Sequence, residues 1–209
     1  MKPILAGIET EYGLYVSGFG PEDQIDQSAA LVRSYPDQGC FAGWDYRYES
    51  PRADLRGFTL DRLAVDPEDA KFDATSRTVS DRDVRSDRIL TNGARLYNDH
   101  GHPEYATPEC RGCIELALHD WHGQSHVRQA ATAYARETGR QVKVYKNNTD
   151  FHGASYGTHE SYLVPRKLPF EKLYRAVMPM LIARQVLTGS GKVGAEKGPD
   201  CAYQISQRA

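Results

Sequence analysis

Hydrophobic and polar residues alternate almost without interruption between Ile4 and Val16. Successive side chains of a β-strand point to opposite faces, so this period of two predicts a strand with one buried face. Glu9 and Glu11 lie on the polar face, roughly 7 Å apart along the strand. Thr10 is the single polar interruption of the apolar face, whose other members are Ile4, Ala6, Ile8, Tyr12, Leu14 and Val16.

Helical and strand-like patterns divide much of the remaining chain. The patterns predict helices at 24–34, 114–138 and 169–188, and short strands at 141–146 and in the later half of HGASYGTHESYLV. We expect Gly139 to end the second of these helices and Pro179 to kink the third. The second helix has a predicted apolar stripe of Leu116, Ala117, Trp121, Val127, Ala131 and Tyr134.

Charged and aromatic residues are concentrated in one stretch, RLYNDHGHPEYATPE, from Arg95 to Glu109. If residues 95–99 form a strand, the side chains of Arg95, Tyr97 and Asp99 share one face. Burying such a face without partners costs several kcal/mol for each polar group. The pattern therefore favours a polar ligand, and a metal-bound phosphate fits it well.

The Glu9–Glu11 pair supports a cation at the same site. Two carboxylates on one strand face repel each other unless a cation lies between or beside them. Oxygen ligands suit Mg²⁺ or Ca²⁺ better than zinc. The alternative is a solvent-facing strand with two surface glutamates.

A long polar and poorly periodic segment occupies about residues 36–88. Segments of this length inside a domain are commonly functional lids or disordered insertions. The sequence leaves open whether this one is a lid over the site or a passive insertion.

Composition narrows the choice of partners and location. The formal charge of −2 gives no reason to expect nucleic acid or a membrane surface as the main partner. Neither a signal peptide nor a membrane-spanning segment is recognisable, so we expect a cytoplasmic protein with reduced thiols. Cys110 and Cys113 form a CxxC pair, for which buried thiols are favoured over a zinc site because a second cysteine pair is lacking.

Four motifs together resemble the Pup ligase and Pup deamidase/depupylase family, which is related to glutamine synthetase and other carboxylate–amine ligases. They are GIETEYG (7–13), LTNGARLYNDHGHPEY (90–105), YKNNTDFHGASYGTHESYL (145–163) and ISQRA (205–209). The resemblance implies an α+β fold with a curved, largely antiparallel sheet, helices packed behind it, and ATP or ADP with Mg²⁺ on its concave face. Residues 1–209 would form the N-terminal part of this domain, with the insertion at 36–88 and the C-terminal remainder absent.

The resemblance also implies roles for individual residues. Asp99 would be the catalytic carboxylate. Glu9, Tyr97, Glu104 and His159 would bind magnesium. Residues expected to line the nucleotide are Gly7, Ile8, Glu9, Thr10, Glu11, Arg95, Ala106, Thr107 and Ser161, the last standing where the family usually has asparagine.

Two enzymatic branches and one binding role fit this resemblance. A ligase joins the C-terminal glutamate of Pup, a small disordered modifier, to a lysine through a glutamyl phosphate. A depupylase cleaves that isopeptide bond and deamidates a C-terminal glutamine of Pup. The spacing in DHGHPEY, the sequence of the 145–163 motif and the long polar segment favour the depupylase, with Pup and pupylated proteins as partners. A non-catalytic Pup-binding fragment is the third possibility.

Overall fold

The computed structural model describes residues 4–36, 41–42, 53, 57, 59, 88–146, 156–189, 191–194 and 201–205. Most of the polar segment predicted at 36–88 lies outside these residues, so its role as a lid stays a prediction. A two-residue strand at each end of that segment belongs to the main sheet.

The described residues form ten strands and three α-helices. A single 3₁₀ turn, Pro21–Asp23, precedes the first helix. The helices are α1 (Gln24–Arg33), α2 (Cys113–Thr138) and α3 (Phe170–Leu187). The strands are β1 (Ala6–Glu11), β2 (Gly13–Val16), β3 (Phe41–Ala42), β4 (Arg88–Ile89), β5 (Arg95–Asp99), β6 (His102–Ala106), β7 (Val142–Tyr145), β8 (Thr158–Tyr162), β9 (Lys192–Val193) and β10 (Tyr203–Gln204).

Six of these strands form one antiparallel sheet in the order β3-β4-β5-β6-β1-β8. Helices α1 and α2 pack against one face of this sheet. Their buried side chains, among them Leu31 and Val127, form the core together with Leu96 and Tyr105 of the sheet. The expected α+β class, with a largely antiparallel sheet and helices behind it, is confirmed.

The single strand predicted at 4–16 is two strands in the structure. β1 pairs with β6 and β8, whereas β2 pairs with β7 in a separate two-stranded sheet. Tyr12 lies at the junction, where its backbone N–H donates to the Pro103 carbonyl oxygen at 2.9 Å. The alternation of buried and polar side chains continues across this change of partner strand, as the burial of Thr10, Tyr12 and Val16 shows. A hydrophobic period therefore identified the buried face but not the point where the strand changes sheets.

Helix α2 begins one residue before the predicted position and ends as predicted. Gly139 has the left-handed φ of 67° expected of a glycine that ends a helix. The predicted stripe is correct at Val127, Ala131 and Tyr134 but wrong at Ala117 and Trp121, which are exposed. Trp121 precedes Val127 by six residues, which places it about 120° away around the helix.

Gly123 is a point of close contact between α2 and the sheet. A Cβ atom added at this position would overlap the ring of Tyr105, a fully buried side chain of β6. We expect Gly123→Ala to destabilise the protein by up to about 2 kcal/mol, because overpacking costs about 1–3 kcal/mol and alanine regains roughly 1 kcal/mol of helix propensity. Urea denaturation measures this difference. Gly112→Ala is the control, since a Cβ there meets open space, and equal losses in both variants would contradict the packing argument.

Helix α3 runs through Pro179 and buries none of its residues against the described chain. An ion pair between Arg184 Nη1 and Glu160 Oε1, at 2.7 Å, connects this helix to the sheet. Among the described residues, no helix combines the length and the apolar composition that a membrane span requires.

Candidate metal and nucleotide site

The register of four strands brings the predicted site residues together on the sheet face opposite α1 and α2. Directly opposed residues of antiparallel strands direct their side chains to the same face. Glu9 lies opposite both Ala106 and His159, and Glu104 lies opposite both Glu11 and Tyr97. The same register adds the pairs Arg95–Ala106, Asp99–His102 and Gly7–Ser161.

Glu104 is the most buried carboxylate of this face, with 1% of its surface exposed. Neither of its carboxylate oxygens has a hydrogen-bond partner of good geometry among the described residues. Burial is the main cause that raises its pKa to about 8, and the carboxylates of Asp99, Glu11 and Glu9 add to the effect. The nearby Tyr97 hydroxyl opposes the shift without cancelling it. A buried carboxylate in this state favours a positively charged ligand.

Two groups of three side chains around Glu104 have the proximity that cation binding requires. Ligand atoms of Glu9, Glu104 and His159 lie within 4.8 Å of one another, and so do those of Glu11, Asp99 and Glu104. The Glu9 Oε2 and His159 Nδ1 atoms are 3.4 Å apart. These donors are mainly carboxylates, which fit Mg²⁺. Such an ion would also interact with the Glu104 oxygens, which have no hydrogen-bond partner among the described residues.

Tyr97 lies beside this carboxylate cluster and is itself buried. Burial, followed by the charges of Glu104 and Glu9, raises the pKa of its phenol strongly. The hydroxyl therefore stays neutral at physiological pH and would contribute only as a neutral oxygen ligand or a hydrogen-bond donor. The Arg95 guanidinium lies over the Tyr97 ring, 4.1 Å from its centroid. This contact orients the arginine beside the carboxylate cluster.

Asp99 is held at the end of a tight hairpin between β5 and β6. The two loop residues, His100 and Gly101, have positive φ values of 48° and 92°. Such values are typical of the two-residue turns whose twist matches that of the flanking strands. Gln24 of α1 donates its amide N–H to the Gly101 carbonyl oxygen at 3.0 Å, and His100 Nδ1 lies 3.3 Å from Asp99 Oδ2. The hairpin thus places the carboxylate at a defined position beside Glu104.

The Glu11 carboxylate interacts mainly with neighbouring protein groups. Its Oε2 accepts a hydrogen bond from the Gly157 backbone N–H at 2.6 Å and lies 3.9 Å from His102 Nδ1. Burial alone would raise its pKa, but His102 and the Gly157 N–H outweigh burial and lower it. His102 also packs edge-on against Tyr156, with ring centroids 4.6 Å apart. Sequence reasoning missed His102, although its position two residues before Glu104 on β6 assigns it to the same face.

The residues expected to line the nucleotide divide into two sets: those near Gly7, such as Thr107 and Ser161, and those whose side chains lie on the helix side of the sheet, Ile8 and Thr10. Thr107 lies beside Gly7, but its hydroxyl oxygen accepts the Ile8 backbone N–H at 3.0 Å. Ser161 is exposed opposite Gly7, in a position open to a ligand. The side chains of Ile8 and Thr10 point to the helix side of the sheet because they alternate with Glu9. The expectation that the segment from Gly7 to Glu11 lines the nucleotide stays a prediction, to which these two residues could contribute only through their backbone.

The cysteines take no part in the cation clusters. The two clusters within the described part of the chain contain carboxylates and a histidine, and Cys40 lies outside that part. Cys110 is buried and its thiol donates to the Pro108 carbonyl oxygen at 3.2 Å, whereas Cys113 is exposed. The prediction of buried thiols is therefore correct for Cys110 and wrong for Cys113.

Known proteins resemble this chain over nearly its whole length. A depupylase of Acidothermus cellulolyticus is 40% identical over 210 residues, which cover 97% of this chain and 40% of the relative. A Pup deamidase/depupylase of Mycobacterium tuberculosis is 38% identical, covering 98% of this chain and 40% of the relative. A Pup–protein ligase of a Nocardioides species is 42% identical over 131 residues, which cover 59% of this chain and 28% of that relative.

A solved structure shares the fold. The crystal structure of the complex between the prokaryotic ubiquitin-like protein Pup and its ligase PafA superposes with a TM-score of 0.66 at 28% identity, covering 99% of this chain and 34% of that one. The chain thus spans about two-fifths of the length of the depupylases it matches. The model of the family described as Pup-ligase protein matches residues 4–209, and the chain therefore belongs to this family.

Proposed function

We propose that the protein is an ATP- and Mg²⁺-dependent amidohydrolase that removes the C-terminal amide of glutamine-ended Pup and cleaves the isopeptide bond between Pup and a lysine. The observation that carries this proposal is the position of the Asp99 carboxylate, which shares a cluster with Glu11 and Glu104 on the sheet face opposite α1 and α2. The relatives named depupylases support this branch because their similarity spans nearly all of the chain, including most of residues 36–88.

The cation and nucleotide have candidate partners in this geometry. Glu9, Glu104 and His159 would hold one Mg²⁺, with Tyr97 beside them, and Arg95 would bind phosphate oxygens. When bound, Mg²⁺ supplies positive charge that offsets the phosphate charge and polarises a nearby oxygen. The mainly carboxylate donor set and the unpartnered oxygens of Glu104 are the features that fit such an ion.

The reaction adds water across an amide bond. Asp99 either attacks the carbonyl carbon itself or takes a proton from the attacking water. If Asp99 attacks, the C–N bond breaks as an anhydride forms between Asp99 and the acyl group, and water then hydrolyses this anhydride and frees Asp99. If Asp99 acts as a base, water adds to the carbonyl carbon directly. In both routes the nitrogen leaves with a proton as ammonia or as the lysine amine, and a carboxylate remains. The hairpin that positions Asp99 is suited to both routes, because either one requires the carboxylate at a fixed place beside the carbonyl carbon.

A ligase is the second candidate, and two comparisons favour it. The solved relative is a Pup ligase, and a second ligase is 42% identical over 131 residues. A ligase consumes one ATP for each bond that it forms, whereas a hydrolase that uses nucleotide as a cofactor does not. Measuring ADP released per product therefore separates the two. We expect far less ADP than product, and equal amounts would contradict the hydrolase.

Mass spectrometry of glutamine-ended Pup incubated with the protein, ATP and Mg²⁺ tests the proposed function directly. We expect replacement of the terminal amide by a carboxylate, together with release of ammonia. A parallel reaction contains glutamate-ended Pup and a lysine-bearing protein. Formation of a conjugate in that reaction without deamidation in the first would establish the ligase, and binding of Pup without either product would establish a binding role.

A further inference from the structure

Asp120 lies on the helix side of the main sheet, behind the candidate site. Its Oδ1 accepts a hydrogen bond from the Thr10 hydroxyl at 2.8 Å. Its Oδ2 lies 3.1 Å from the Lys146 ammonium, directly after β7. A single carboxylate of α2 therefore connects β1 with the end of β7.

Thr10 is the residue through which this contact reaches the site. It lies between Glu9 and Glu11 on β1, and only 1% of its surface is exposed. A buried hydroxyl needs an acceptor, because leaving it unpaired costs about 1–3 kcal/mol. Asp120 is the acceptor, and the ion pair with Lys146 offsets the cost of keeping this carboxylate half-buried. The bond thus fixes β1 against α2 at the position where its opposite face presents two carboxylates.

Tyr12 lies two residues after Thr10, and its side chain points to the same helix side of the sheet. It is 3% exposed, and its hydroxyl has no hydrogen-bond partner among the described residues. Burial raises the pKa of this phenol, and the charge of Asp120 adds to the shift. Asp120 therefore interacts electrostatically with Tyr12 in addition to its hydrogen bond with Thr10.

We propose that Asp120 is a positioning residue for the cation site: through Thr10 it holds β1 so that Glu9 and Glu11 stay within reach of Glu104, while Asp120 contacts no ligand itself. The inference rests on the proposed cation site of the amidohydrolase. Residues that hydrogen-bond a metal ligand directly change metal affinity by about 10–100-fold when they are removed. Asp120 acts one residue further from the ligands, so we expect the lower end of this range.

Mg²⁺ binding, measured by calorimetry on the protein without nucleotide, tests this role. Thr10→Val keeps the shape of the side chain and removes the hydroxyl, so we expect Mg²⁺ affinity to fall by about 10-fold or more. Thr10→Ser and Asp120→Asn keep a donor and an acceptor, respectively, and should restore most of the affinity. Thr132→Val, the same change at an exposed position of α2, is the control and should bind Mg²⁺ normally.

Two outcomes would overturn the inference in different ways. If Thr10→Val binds Mg²⁺ as tightly as the unchanged protein while its melting temperature in chelator falls, Asp120 has a structural role only. If the unchanged protein itself does not bind Mg²⁺, the proposed cation site fails and the inference fails with it. Asp120→Ala, which removes the carboxylate itself, should lower Mg²⁺ affinity as Thr10→Val does. If Asp120→Ala does not fold, Thr10→Val compared with Thr10→Ser still decides between these results.

Discussion

Replacement of Asp99 by asparagine should lower the rate of deamidation of glutamine-ended Pup by roughly 10²–10⁴-fold, the range expected for loss of a general base. Asparagine has nearly the same shape, so the hairpin of β5 and β6 should form as before. The amide cannot accept a proton from water or attack a carbonyl effectively, and chemistry should therefore fail while binding survives. Mass spectrometry measures the rate, and calorimetry measures nucleotide binding, both at saturating Mg²⁺.

The matched control for this variant is Asp26→Asn, an exposed position in the first turn of α1. It makes the same chemical change outside the carboxylate cluster and should leave deamidation unchanged. Full activity of Asp99→Asn would remove Asp99 from the mechanism. Equal losses of turnover and of nucleotide binding would reassign it to the cation site.

Glu104→Gln should make the protein more stable without Mg²⁺ at alkaline pH, and it should reduce the stability that the protein gains from Mg²⁺. Burial raises the folded-state pKa of Glu104 to about 8, well above the reference value of 4.5. The folded protein then holds a proton that the unfolded chain releases, so the metal-free protein should lose stability as pH rises from about 4.5 to 8. At about 1.4 kcal/mol per pKa unit, the loss is at most about 5 kcal/mol, and glutamine should abolish it.

Thermal melting in chelator and in excess Mg²⁺, across this pH range, measures both effects. We expect Glu104→Gln to melt at a higher temperature than the unchanged protein above pH 8 in chelator. It should gain much less from Mg²⁺, because the ligand shared by both clusters is lost. Glu109→Gln, an exposed change three residues after β6, should behave like the unchanged protein. A Glu104→Gln variant that Mg²⁺ stabilises as fully as the unchanged protein would exclude Glu104 as a ligand.

Much of the candidate site could be predicted from the chain because its geometry within each strand is local. The period of two placed Glu9 with Glu11, and Arg95 with Tyr97 and Asp99, and the register confirms that these side chains share one sheet face. The motif resemblance identified the family, which the comparisons confirm. The metal, nucleotide and catalytic roles of these residues stay predictions that the variants above test.

Contacts between distant residues could not be predicted in the same way. His102 was missed as a partner of Glu11, and Thr10 was predicted as an interruption of an apolar face and as part of the nucleotide-lining segment, but not as a partner of a helix. Its partner Asp120 lies on a helix more than one hundred residues later in the chain. Trp121 was assigned to the core of that helix because its hydrophobicity fits a buried position, yet it is exposed.

The sequence by itself determined which residues can share a strand face, where α1 and α2 lie along the chain, and which family the protein belongs to. Tertiary structure decided which strands are neighbours, and so brought Glu9 to His159 and Glu11 to Glu104. The reason is physical: side-chain alternation follows from backbone geometry over a few residues, whereas strand register follows from packing of the whole sheet against its helices. The burial that raises the pKa of Glu104 exists only after that packing has removed water from its carboxylate.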